Sequence, residues 1–304
     1  MARRWIAYPP IWIRGRRENH SYRLGVSVAY WTRKFTLVYP SYVAFIPLRI
    51  HSLFVAATRV VGGVDVPPNQ YIAYQVSMQY RTKSGEVQHF CGGSIISPTR
   101  ILTAAHCCKG LNASRMSVVA GIRSLDDTSG QRSAVKSYDI HENYEELVTS
   151  DIAILSIDPP LQFDGQRVDA IDVNSSESVG GGRSVTLTGW GLRLPVAVPF
   201  LPSEWDAINY PTTLQIMSYN TITNAECRES GMDQLTDTEI CAKGRFLKGA
   251  CSGDSGGPLV MNATNGLQQV GIVSYGLIVC GVFNVPDVYT RVSVFDEWIQ
   301  QRLT

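Results

Sequence analysis

No cysteine occurs before Cys91, and the first 59 residues contain a single acidic side chain, Glu18. The first absence means that no disulfide tethers this stretch to the rest, and that it is no cysteine-knotted module. The second exposes a charge asymmetry. Ten of the 27 Lys and Arg lie within residues 1–59, giving +9 there and leaving 17 basic against 25 acidic side chains beyond, or −8. An acidic body lacks the cationic face that phosphate contacts require, which excludes a nucleic-acid partner. No apolar run approaches the roughly 20 residues of a membrane span. Its nearest candidate, Tyr42 to Ala57, is broken by Pro47, Arg49 and His51, although it ends in Val-Ala-Ala like a secretory cleavage site. There is no CxxC pair and no His/Cys cluster at zinc-ligand spacing, so neither a metal nor a cofactor is expected. Repeats and low-complexity tracts are also missing.

What is present changes at Val60. Residues 1–59 read as a leader or propeptide, mostly disordered or lying before the true start of the coding sequence. Beyond them come short β-branched and aromatic runs separated by Gly, Pro, Asn and Asp: Tyr71–Tyr80, Ser94–Thr103, Met116–Ala120, Ile152–Ile157, Ser184–Thr188, Gln268–Tyr275 and Val288–Arg291. Many short strands at such spacing predict an all-β antiparallel sandwich or barrel rather than βαβ units. One helix is expected at about 293–303, with Ser293 as its cap and Val294, Phe295, Trp298, Ile299 and Leu303 on one face. Seven cysteines and three sequons, at Asn112, Asn174 and Asn262, fit an oxidising secretory route. Which cysteines pair is left open by the residues alone.

Three strings carry chemistry: LTAAHC at 102–107, SDIAIL at 150–155 and CSGDSGGPL at 251–259. Singly each has a plain structural explanation, as a satisfied polar residue, a cap or a tight turn. Jointly they supply His106, Asp151 and Ser255 in the order His, Asp, Ser. A serine hydroxyl is a weak nucleophile and needs a base within hydrogen-bond reach. Histidine can take that proton and return it near neutral pH. An aspartate can fix the imidazole tautomer and stabilise the imidazolium. Glycines around Ser255 let the chain curl, so that the amides of Gly253 and Ser255 converge where an oxyanion would form.

From residue 60 to the end the chain resembles the trypsin-like serine peptidases. VVGG at 60–63, FCGG at 90–93, TGWG at 188–191 and PDVYTRV at 286–292 join the three strings in the family's order. The resemblance implies two six-stranded antiparallel β-barrels, about 60–176 and 177–290, followed by the C-terminal helix. His106 and Asp151 would come from the first barrel and Ser255 from the second. It implies disulfides Cys91–Cys107, Cys227–Cys241 and Cys251–Cys280, which leaves Cys108 without an obvious partner, as a buried free thiol or as a link to another chain. It also implies a secreted, monomeric zymogen whose partners are protein or peptide substrates, an activating trypsin-like protease, and serpins or other inhibitors. Cleavage after Arg59 would free the ammonium of Val60 to meet Asp254.

The chain departs from trypsins at the primary specificity pocket. Gly249, followed by Ala250, stands at the base where trypsins place Asp; Gly276 resembles the open wall, and Asp287 takes a position where many relatives have Gly. A Gly base with such an Asp is similar to the brachyurin group, which implies a broad or chymotrypsin-like preference with some acceptance of basic residues. The segment 192–211, carrying Phe200, Leu201 and Trp205, is expected to extend the substrate groove or to be a tolerated surface loop. Asp126 and Asp127 do not keep a calcium-loop spacing. Two rivals remain: a non-catalytic homologue used for binding or regulation, and a narrow cascade-processing protease.

Overall fold

The computed structural model describes residues 62–174, 179–192, 211–244, 248–276, 280 and 285–303. Strands β2 (Gln75–Arg81), β3 (Val87–Ser97), β4 (Arg100–Thr103), β5 (Met116–Ala120), β6 (Gln131–Ile140) and β7 (Ala153–Asp158) close into a barrel in the order β2-β3-β4-β7-β6-β5. A second set, β8 (Ser184–Gly189), β9 (Gln215–Ile222), β10 (Glu239–Lys243), β11 (Pro258–Ala263), β12 (Gly266–Tyr275) and β13 (Asp287–Arg291), runs β9-β10-β13-β12-β11-β8 and closes through β8–β9. All pairings are antiparallel. The fold is therefore two closed six-stranded antiparallel barrels, and closure removes the open edges that a short-stranded sheet would otherwise present.

Side chains fill both barrels. Val76, Met78, Ile95, Ile101, Leu102, Val118, Ile154 and Leu155 pack the first. Val185, Leu187, Met217, Ile240, Leu259, Val270 and Tyr289 pack the second. Each such aliphatic side chain contributes about 1.5–3 kcal/mol on burial. Alternation is visible in β9, where Gln215, Met217, Tyr219 and Thr221 are buried and Ser218 and Asn220 exposed.

The ends of the described chain cross over. Strand β1 (Val64–Asp65), which precedes the first barrel in sequence, pairs with Ile216 and Gln215 of β9 in the second. The C-terminal Val292, Phe295, Trp298 and Ile299 pack into the core of the first. That terminal helix is shorter than its apolar stripe suggested. Val292–Phe295 form a 3-10 turn and only Asp296–Gln300 are α-helical, so Ser293 lies inside the turn and Phe295 takes the cap position without a side-chain bond.

Candidate active site

Strand β4 delivers His106. The strand runs into a 3-10 turn, Ala105–Cys107, and the Cys91–Cys107 disulfide ties that turn to β3. Asp151 arrives from the opposite side, just before β7, on a chain bent by Ser150 at φ 55°. Its Oδ2 accepts from His106 Nδ1 at 2.7 Å and its Oδ1 from the His106 amide at 2.9 Å. Ser274 Oγ donates to the same Oδ2 at 2.6 Å, and Thr290 Oγ1 donates to the Asp151 carbonyl at 2.7 Å. Burial pushes this carboxyl up, but the bonds and charge of His106, with Ser274, prevail and hold it below the usual aspartate value. Two strands of the second barrel thus fix an acid supplied by the first.

Ser255 sits on a tight turn leading into β11. The Asp254 amide donates to the Cys251 carbonyl at 2.9 Å, and the Gly257 amide to the Asp254 carbonyl at 2.9 Å. Gly92 of the first barrel donates its amide to the Ser255 carbonyl at 2.8 Å. Gly253 at φ 98° and Gly256 at φ 76° occupy backbone conformations that side chains disfavour. A Cβ on Gly256 would also lie 2.2 Å from Thr103 Oγ1. Among the described residues the amides of Gly253 and Ser255 have no hydrogen-bond partner. The Ser255 hydroxyl makes no hydrogen bond to His106 in this structure, where His106 Nε2 lies 3.6 Å from Cys107 Sγ.

Beneath the turn is the fully buried Asp254. Its Oδ1 accepts from the Gly191 amide at 2.8 Å and its Oδ2 from the Cys251 amide at 2.9 Å. Burial raises its pKa to about 6 against the opposing pull of those two amides. This carboxylate gives the TGWG string a physical reason. A Cβ on Gly189 or Gly191 would stand 2.0 or 2.2 Å from an Asp254 oxygen.

Asp287 points inward. Its Oδ2 accepts from the Ala250 amide at 2.7 Å, and a Cβ on Gly276 would come within 3.4 Å of Oδ1. The structure thus brings Ala250, Gly276 and Asp287 together, with Gly249 buried beside Ala250. Burial lifts the Asp287 pKa to about 8; the Ala250 amide opposes this and the nearby charge of Asp254 adds to it.

The three disulfides are Cys91–Cys107, Cys227–Cys241 and Cys251–Cys280, and Cys108 is a buried free thiol pushed up to about 12 by burial and by Asp151. Asn112, Asn174 and Asn262 are exposed. Asp127 faces Arg167 at 3.8 Å and accepts from the Ser129 amide. Among the described residues the one cluster of metal-ligating types is Cys91, His106 and Cys107, and its sulfurs are joined to each other. Arg59 and Val60, and Phe200, Leu201 and Trp205, lie outside the described residues.

Three contributors escaped the sequence reading: Ser274, Thr290 and His89. Half-buried His89 accepts from Ser77 Oγ at 2.9 Å through Nδ1 and donates from Nε2 to the Gly253 carbonyl at 3.0 Å. Burial lowers its pKa to about 4, in keeping with a neutral ring that uses both nitrogens. Its only signal was its place one residue before FCGG.

The trypsin family model matches residues 60–299. The chain belongs to the trypsin family. It is 36% identical to a brachyurin of Leptuca pugilator over 244 residues, spanning 79% of this chain and 97% of that protein. It is 35% identical to chymotrypsin-2 of Vespa crabro over 243 residues, 80% of this chain and 99% of that protein. An anionic trypsin of Canis lupus familiaris shares 34% over 251 residues, 81% and 90% respectively. In the trypsin-family frame this chain is a serine endopeptidase, a hydrolase. No helix among the described residues is long and apolar enough to cross a membrane.

Proposed function

We propose that the protein is a secreted endopeptidase made as a zymogen, working through Ser255, His106 and Asp151, with a mixed preference set by Asp287. The observation that carries the catalytic reading is the 2.7 Å contact of His106 Nδ1 with a buried carboxylate that Ser274 also holds. With Nδ1 committed as donor, Nε2 is the nitrogen free to act as base. Ser255 Oγ attacks the scissile carbonyl carbon as His106 Nε2 takes the hydroxyl proton, once substrate binding closes the two to hydrogen-bond distance. The carbonyl oxygen becomes an oxyanion between the amides of Gly253 and Ser255. Collapse expels the amine, protonated by His106, and leaves an acyl-Ser255 ester that water, deprotonated by His106, then hydrolyses.

Asp287 in a wall open at Gly276 favours Lys or Arg when ionised, by a charge-assisted bond. The neutral Gly249–Ala250 base leaves room for Tyr, Phe or Leu. Asp254, buried and raised to about 6, is the carboxylate suited to receive the ammonium of Val60 after cleavage at Arg59. Exposed sequons and three disulfides support a secretory route and an extracellular setting.

The test pairs two peptide amides differing only in Arg or Phe before the scissile bond. The full chain is treated with immobilised trypsin, which is then removed, and Ser255→Ala is carried through identically as the blank. Cleavage of Phe, or of both, over a silent blank is expected. Cleavage of Arg alone overturns the mixed pocket, and silence from folded wild-type protein with both peptides favours a non-catalytic homologue.

A further inference from the structure

Tyr275 lies between the two halves of the site. Ser274 before it is bonded to Asp151, and Gly276 after it faces Asp287. The β12–β13 register shifts between Val273 and Tyr275, and such a bulge re-aims consecutive side chains. One turns to Asp151. The other, half-buried, packs against Val288 and Cys241 and sends its hydroxyl to Glu239 Oε1 at 2.9 Å. Glu239 is only 4% exposed, an unusual place for a carboxylate unless its hydrogen bonds are met. They are met locally. Its Oε2 accepts from the Thr236 amide at 2.7 Å and from Thr236 Oγ1 at 3.2 Å.

The chain of contacts goes further. Thr236 Oγ1 is 2.7 Å from Thr238 Oγ1, which is 3.0 Å from Thr149 Oγ1. Thr149 closes the small hairpin Glu145–Thr149, whose exposed tip Leu147 is held at φ 59° three residues before Ser150, itself at φ 55°. One buried carboxylate is therefore bonded to Tyr275 on one side and, through two threonine hydroxyls, to the hairpin that leads into Asp151 on the other. None of these groups takes part in the chemistry at Ser255. Tyr275 lies between the residue bonded to Asp151 and the residue facing Asp287, and the hairpin leads into Asp151, so these two elements flank the site.

We infer that Glu239 is a positioning residue for extended substrates, clamping Tyr275 and the 145–149 hairpin as the two walls of the groove beside the primary pocket. The inference rests on the endopeptidase reading above. The clamp acts on residues of the substrate that are remote from the scissile bond, so its effect grows with peptide length. It belongs in KM for long substrates more than in kcat, because the groups it places do not touch the reacting atoms.

The experiment uses the full chain, cleaved with immobilised trypsin, and two substrates with the same residue before the scissile bond: a single-residue ester and a tetrapeptide amide. Glu239→Met removes the acceptor, and Glu239→Gln keeps an oxygen able to take the Tyr275 proton. Glu239→Met should lower the tetrapeptide-to-ester ratio of kcat/KM about tenfold through KM, the loss expected for one hydrogen bond to a charged acceptor. Glu239→Gln should recover most of that ratio, and Tyr275→Phe combined with Glu239→Met should be no worse than Glu239→Met alone. An unchanged ratio, an equal loss on both substrates, or additive losses in the double variant each overturn the clamp. Amide hydrogen exchange provides a readout independent of activity. Faster exchange in Glu239→Met at both 273–276 and 145–149 supports the clamp even if wild type hydrolyses nothing, an outcome that would sink the endopeptidase reading instead. Exchange unchanged at either segment removes the coupling.

Discussion

A carboxyl group buried beside a substrate wall has two chemistries, and Asp287 stands near the pH at which it changes between them. With its pKa raised to about 8, it is mainly a neutral acid at pH 7 and a carboxylate above about pH 9. If Asp287 lines the primary pocket as proposed, the cation of an Arg substrate would pair with the ionised form, and kcat/KM for Arg should climb relative to Phe as pH rises through about 8, by about tenfold in all. Asp287→Asn should flatten that ratio; a ratio that stays pH-dependent in the variant would assign the titration elsewhere. The stability effect has the opposite slope. A group whose folded pKa is raised contributes stability that is fully present below about pH 4 and is lost as pH rises through about 8. His89 illustrates a second use of burial. As a neutral ring donating to the Gly253 carbonyl, it orients a peptide next to the proposed oxyanion donor. His89→Phe keeps the bulk and loses both bonds, and should reduce kcat about tenfold with KM nearly constant. An unchanged kcat would make His89 a packing residue only.

Elements were legible where burial is regular. Met116–Ala120 is a strand at the predicted bounds, with Met116, Val118, Val119 and Ala120 all buried. The run Ser94–Thr103 is a hairpin rather than one strand: Pro98 and Thr99 turn the chain between β3 and β4. β6, β9, β10 and β11 were missed. Gln131–Ile140 alternates charged and small residues with only Ser133 and Val135 buried, and the interior of β9 includes Gln215 and Thr221, so neither displays a conventional apolar stripe. The triad was readable from three strings since its members are rare residue types in short contexts. Ser274 and His89 were not, because a bulge and a cross-barrel hydrogen bond bring them to the site over 123 and 164 residues. The C-terminal stripe identified a real face in Phe295, Trp298 and Ile299, but Val294 is exposed, since it lies in the 3-10 turn rather than in an α-helix. Trp298 is 7% exposed, donates from Nε1 to Glu142 at 3.1 Å, and stacks near His141 and Arg302. Trp298→Ala should cost about 3–5 kcal/mol in urea unfolding. A loss below about 1 kcal/mol would mean that this helix docks without adding to the cooperative core.

At the scale of the whole molecule, the two barrels are stitched across the site rather than merely placed side by side. β1 crosses to β9, the C-terminal segment returns to the first barrel, Gly92 holds Ser255 and Ser274 holds Asp151. In the proposed zymogen, such cross-contacts would tie the catalytic geometry to the loop around Asp254, and so to a charge brought against it. Without a cationic partner, a buried carboxyl with pKa about 6 contributes stability present below about pH 4 and lost as pH rises through 6. The ammonium of Val60, with an ordinary pKa of about 8, would hold the carboxylate ionised and cancel that loss near neutrality. Thermal unfolding of intact and Arg59-cleaved chain should therefore diverge with pH. The two should melt together near pH 4.5, and the cleaved form should melt several degrees higher near pH 7, as about 1–2 kcal/mol implies. Arg59→Gln treated with trypsin should follow the intact curve and hydrolyse neither test peptide. Equal melting of intact and cleaved wild type at both pH values, or full activity in Arg59→Gln, would separate Asp254 from activation and leave it a structural acid satisfied by Gly191 and Cys251 alone.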